Sequence, residues 1–130
     1  MAFRFSPLLL ALLGCILPMQ RVSYSQENEP LPQFTIAFVP YSLVKEIPHS
    51  GGGKKTSVTF DNRLKRGVKL WWIDGGGGRH SYGEVAAESI KTQGSYAQHV
   101  WLITDLQDKP LGYFVASSAA ALAQIRPGDL

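Results

Sequence analysis

Gly94-Ser95-Tyr96-Ala97-Gln98-His99-Val100-Trp101 is the stretch on which the reading of this chain turns. Taken as part of a strand from Ser95 to Thr104, it places Ser95, Ala97, His99 and Trp101 on one face, because side chains alternate along an extended backbone. Tyr96, Gln98, Val100 and Leu102 fall on the other. A core face would carry Val, Ile or Leu. This one joins an indole to a hydroxyl and an imidazole, the make-up of a pocket for a small group with polar and apolar parts. The same alternation makes a demand. A regular strand rises about 3.3 Å per residue, which sets the Cα atoms of Ser95 and His99 roughly 13 Å apart. Both can serve one ligand group only where the chain bends between them, and Gly94 and Ala97 make a bend cheap.

Outward from this stretch the pattern stays β: Ser57–Phe60, Val68–Ile73, a short element near Tyr82, and Leu111–Ala116. Short strands separated by polar or glycine breaks predict an all-β fold, a small β-sandwich, over a parallel fold with alternating helices. Gly75–Gly78 reads as a turn, since it lacks the Lys-Ser/Thr of a phosphate-cradling loop. Ser117–Ile125 stays open between strand and short C-terminal helix, because two serines ahead of an alanine run form a helix N-cap by propensity. Upstream, Phe34–Val39 is strand-like and Leu43–Ile47 suggests another short strand, with Pro40 and Pro48 limiting both. Ser50-Gly51-Gly52-Gly53-Lys54-Lys55 reads as a flexible loop. The division expected is a targeting segment over 1–25, a linker with one or two short strands over 26–55, and the sandwich over 56–126.

The targeting segment rests on Arg4 followed by an apolar run from Pro7 to Met19, too short to span a bilayer comfortably. Ser23 and Ser25 fit small-x-small cleavage of a signal peptide near Ser25, which predicts an exported domain, secreted or periplasmic. Leu12-Leu13-Gly14-Cys15 offers lipid anchoring through Cys15 as the alternative, and a membrane becomes a partner only in that case. Cys15 is the single cysteine, so neither a disulfide nor thiol chemistry is expected in the domain. The 130 residues hold 13 Lys and Arg against 10 Asp and Glu. Removing 1–25 takes out Arg4 and Arg21 and no acid, and a balance so near neutral argues against nucleic-acid binding through phosphate neutralisation.

Asp61-Asn62-Arg63 ends a strand, where an asparagine side chain commonly bonds its own backbone to shape a turn. Trp71-Trp72 sits mid-strand, so the indoles face opposite sides. The basic cluster Arg63, Lys65, Arg66 and Lys69 reads as a solvated loop in a near-neutral chain.

The ordered set Phe60-x-Asn62-Arg63, Trp72-Ile73-Asp74, Tyr82 and Ser95-Tyr96-x-x-His99-x-Trp101-x-x-x-Asp105 resembles the beta domain of the von Hippel-Lindau tumour suppressor. The resemblance covers about the middle third of the chain and implies a small sandwich whose groove takes a peptide bearing 4-hydroxyproline. It implies that Trp72, Tyr82 and Trp101 wall the proline ring, that Ser95 and His99 hydrogen-bond its hydroxyl, and that Tyr96 flanks the groove. Phe60, Asn62, Arg63 and Asp105 then have structural roles. Aromatic faces accept a proline ring, and a hydroxyl with an imidazole satisfies an alcohol that would otherwise be buried unpaired. Lys91 stands where the family carries an arginine, and Gln93-Gly94 replace a bulkier pair. The helical domain that recruits a ubiquitin-ligase adaptor in that family is not among the 130 residues, so no such adaptor is expected.

The function expected is therefore a non-catalytic protein- or peptide-binding module, with a structural or assembly sandwich that does not read hydroxyproline as the alternative. A hydrolase built on Ser95, His99 and Asp105 ranks third. The strand spacing keeps Ser95 from His99, and no Gly-x-Ser-x-Gly elbow surrounds the serine. No metal or cofactor is expected, since His49, His80 and His99 are scattered without ligand spacing.

Overall fold

Two sheets make up the fold in the computed structural model, which describes residues 30–130. The expected signal peptide lies outside the described residues. Leu31–Leu130 form one compact unit. Its strands are β1 (Val39–Pro40), β2 (Lys55–Asn62), β3 (Val68–Ile73), β4 (Arg79–Val85), β5 (Ser89–Tyr96), β6 (Val100–Thr104), β7 (Pro110–Val115) and β8 (Ala121–Ile125). One sheet has the order β1-β7-β6-β3-β4 and the other β5-β2-β8. The fold is an all-β sandwich, as its alternating short strands predict.

The core lies between the sheets. Val58 and Phe60 of β2 and Ala123 and Ile125 of β8 meet Leu70 of β3, Trp101 and Ile103 of β6, and Phe114 of β7, all buried. Phe60 packs edge-on against Trp101, ring centroids 5.7 Å apart, and against Phe114 at 6.1 Å. Each large apolar side chain so buried contributes about 1.5–3 kcal/mol. Val-Lys-Leu-Trp-Trp-Ile of β3 shows the alternation at work. Leu70 and Trp72 turn toward this core, while Trp71 and Ile73 join Val100, Leu102 and Ile47 in a second cluster on the outer face.

The structure settles the open reading of Ser117–Ile125 and corrects one expected strand. Ser117–Ile125 holds a strand and no helix: β8 pairs in parallel with β2, Val58 opposite Ala121 and Asn62 opposite Ile125. Burial of Ala121, Leu122, Ala123 and Ile125 overrides the helix preference of alanine. Ser117 instead turns the chain, its Oγ accepting from the Ala119 N–H at 3.2 Å. Leu43–Ile47, expected as a short strand, forms none; a single 3-10 turn covers Tyr41–Leu43. Upstream of residue 56 the chain continues in the same compact unit. Phe34–Ile36 bond to Leu122 on the β8 edge, Ile36 N–H to the Leu122 carbonyl at 3.0 Å. Val39 and Pro40 then pair with Tyr113 and Gly112 of β7 in the other sheet. The segment closes one side of the sandwich, with Ile36 and Phe38 packed on the core.

Candidate functional site

Ser95–Thr104 is not one strand. The chain leaves the small sheet at Tyr96, turns through Ala97 and Gln98, and enters the large sheet at Val100. The turn closes with the His99 N–H donating to the Tyr96 carbonyl at 3.1 Å. Gln98 adopts φ 70°, a left-handed conformation that costs a non-glycine residue roughly 1–2 kcal/mol. Bonds to Ala116, just past the end of β7, hold it there: the Gln98 N–H reaches the Ala116 carbonyl at 2.8 Å, and the Ala116 N–H reaches the His99 carbonyl at 2.9 Å. The bend that joint use of Ser95 and His99 requires is therefore this corner between sheets.

The corner folds β5 against β6. Ser95, from the end of β5, and Trp101, from the start of β6, are both buried, and the Trp101 indole N–H donates to Ser95 Oγ at 2.9 Å. Around this bond Trp72, Tyr82, Gly94, Ser95, Tyr96, His99 and Trp101 line a half-open pocket of about 220 Å³. All six residues anticipated for ligand contact line it. Trp101 is its floor, only 1% exposed. The Tyr82 ring stands on it at 87° with centroids 5.1 Å apart. His99 lies between further rings, 5.2 Å from Trp72 and 5.3 Å from Tyr96. Trp72 also stacks on His80 of β4 at 4.9 Å.

Ser95 Oγ uses one lone pair on the indole N–H and donates to its neighbour, the Tyr96 carbonyl, only across 3.4 Å. One acceptor site and a weakly held proton remain. Burial pulls the His99 pKa below the ordinary histidine value of 6.5, because removing water disfavours the charged ring. At neutral pH the ring is therefore neutral, with one N–H donor and one bare nitrogen acceptor.

The hairpin that carries Trp72 and Tyr82 is fixed by Asp74. Its carboxylate accepts the Gly76 N–H at 2.9 Å, the Gly78 N–H at 2.8 Å, and His80 Nε2 at 2.8 Å. The His80 bond foremost, then the Gly78 and Gly76 amides, hold the Asp74 carboxyl at about 2. Asn62 is fully buried. Its amide donates to the carbonyls of Arg66, Val85 and Ala86 at 2.9, 3.2 and 3.0 Å, and its oxygen accepts the Leu64 N–H at 3.0 Å. Arg63 pairs with Asp61 at 2.9 Å. Asp105 caps the β6–β7 turn through the Gln107 and Lys109 N–H groups, both at 2.9 Å. Ser95, His99 and Asp105 thus do not form a triad: Ser95 faces an indole, and the Asp105 carboxylate is engaged in its own turn.

One supporting residue escaped sequence reasoning. His80 reaches Trp72 only because β3 and β4 pair Trp72 with His80. Alternation in the Trp-x-x-x-x-x-x-x-His run across a glycine turn was the signal available for it.

A small two-sheet sandwich with an aromatic pocket at the corner between its sheets is a binding architecture. The chain belongs to the VHL beta domain family, whose pattern it matches over residues 51–115. The VHL beta domain is a protein-binding module rather than a catalytic family, which supports a protein or peptide as partner. No curated protein matches the chain closely enough to report.

Proposed function

We propose that the chain binds a protein or peptide by taking a 4-hydroxyproline residue into the pocket. The observation that carries this is the convergence of Ser95 and His99 among Trp72, Tyr82 and Trp101 around one cavity of about 220 Å³. That volume is below the roughly 300–1,000 Å³ of pockets for drug-sized ligands, which suits one ring with its substituent. The rings offer apolar faces to a pyrrolidine. Neutral His99 can accept from the ligand hydroxyl while the Ser95 hydroxyl donates to it. Unmodified proline would leave the His99 acceptor nitrogen without a partner and the Ser95 proton with only its long contact to the Tyr96 carbonyl, and a site built to bond a hydroxyl discriminates strongly against the analogue that lacks it.

The alternative, an assembly sandwich that does not read hydroxyproline, is favoured by one observation: Ser95 and Trp101 already satisfy each other. Paired peptides with proline and 4-hydroxyproline, titrated calorimetrically into the chain, separate the two. A large preference for the hydroxylated peptide that His99→Ala abolishes supports recognition; equal or absent binding leaves assembly. Export, supported by the pattern of residues 1–25, belongs to the same proposal. Mass spectrometry of the mature protein's N-terminus tests it, with a lipid on Cys15 as the anchored outcome.

A further inference from the structure

Every pocket residue hangs from the β3–β4 hairpin or from the β5–β6 corner between the sheets. Trp72 and Tyr82 flank the β3–β4 turn; Ser95, Tyr96, His99 and Trp101 flank the β5–β6 corner. A third piece of chain, His49–Lys54, touches both. On the corner side Ser50 Oγ accepts the Val100 N–H at 2.7 Å, the Gly51 N–H donates to the Gln98 carbonyl at 3.0 Å, and the Lys54 carbonyl accepts the Ala97 N–H at 2.8 Å. These bonds engage Ala97, Gln98 and Val100, the residues around His99. On the other side the His49 ring lies over Gly77, where a Cβ would come within 2.7 Å of its Nε2. The Ser50 carbonyl lies 3.7 Å from where a Cβ on Gly75 would stand.

The glycines here differ in kind. A Cβ at Gly53 would fall 2.8 Å from the Ala97 Cβ and 3.1 Å from its carbonyl oxygen, atoms that can yield only if the corner moves. A Cβ at Gly52 would meet nothing within 4 Å. The run that reads in sequence as a flexible loop is thus one of close approach at Gly53 and free space one residue earlier.

We propose that His49–Lys54 is a strap that positions His99 in the pocket by holding the β5–β6 corner, with Ser50 and Gly53 as its positioning residues. The strap begins upstream of the family match at residue 51. Its consequence for ligand affinity rests on the binding reading above; its consequence for His99 does not.

The test compares Ser50→Ala, Ser50→Thr, Gly53→Val and Gly52→Val in the full chain. The first reading is the position of the His99 ring signals by NMR, which the neighbouring Trp72 ring shifts in proportion to their stacking. The second is affinity for a peptide bearing 4-hydroxyproline, with melting temperature measured alongside. Ser50→Ala and Gly53→Val should displace the His99 signals, and Ser50→Ala should weaken the peptide roughly fivefold, the scale of one hydrogen bond. Ser50→Thr, which keeps the oxygen, and Gly52→Val should match the wild type. Should Gly53→Val fail to fold, Ser50→Ala against Ser50→Thr decides. Unmoved His99 signals in Ser50→Ala, or an equal displacement in Gly52→Val, overturn the strap. Failure of the wild type to bind the peptide overturns hydroxyproline recognition instead, and the His99 signals still decide the strap.

Discussion

Replacing Ser95 by alanine deletes one oxygen and leaves the Trp101 indole N–H without its acceptor at a position 1% exposed. A buried donor deprived of its partner costs about 1–3 kcal/mol. For a domain near 100 residues, each kcal/mol lowers the melting temperature by about 4–8 °C. The loss belongs to the pair, and a double-mutant cycle isolates it. Trp101→Phe keeps a ring against Phe60 and Tyr82 but carries no N–H. Ser95→Ala in that background should therefore cost almost nothing, giving a coupling of about 1–2 kcal/mol. Urea unfolding followed by circular dichroism supplies the four free energies. Additive effects would refute the claim that Ser95 supports the pocket floor, and the serine would then be free to face the ligand alone.

Asn62→Ala removes four hydrogen bonds at a fully buried site and should cost at least about 3 kcal/mol; a loss under about 1 kcal/mol in urea contradicts that role. Gly112→Ala forces a Cβ to within 2.5 Å of the Val39 carbonyl oxygen and should cost about 1–3 kcal/mol, with an unchanged melting temperature counting against the packing of Phe38 there. The Asp74 carboxyl titrates at about 2 in the fold against 3.8 ordinarily, so its contribution is present above pH 4 and lost as pH falls toward 2. The stability gap between wild type and Asp74→Asn should therefore narrow over that interval, and a constant gap would be inconsistent with it. His99 is depressed below 6.5 and loses its acceptor nitrogen on protonation. Hydroxyproline-peptide affinity should hold through neutral pH and fall only below the ordinary histidine range, whereas affinity flat to pH 4.5 would remove His99 from ligand contact.

Much of the sandwich was legible in local pattern. Val68–Ile73 alternates so cleanly that the strand and the opposed faces of Trp71 and Trp72 follow from spacing alone. The corner was not. Gln98 carries no glycine, proline or asparagine signature, and its left-handed backbone is imposed by bonds to Ala116, a residue distant in sequence. Alternation consequently assigned Tyr96 to the face opposite Ser95, although both line one cavity. The pocket residues were legible through an ordered resemblance, and their convergence through the turn was not. Alanines in Ala121–Ile125 hid a strand that burial dictates. Glycines at 51–53 suggested slack, where Gly53 answers to the proximity of Ala97.

The parallel pairing of β2 with β8 sets an order on synthesis. β2 is translated before β8, and its edge from Val58 to Asn62 stays unpaired until residues 121–125 have cleared the ribosome. Pairings so remote in sequence place the domain among slow folders, on the order of milliseconds to seconds. Until then Val58 and Phe60 lie beside an open strand edge, a hazard for pairing between nascent chains. The stretch most exposed to misassembly is thus the one whose partner arrives last.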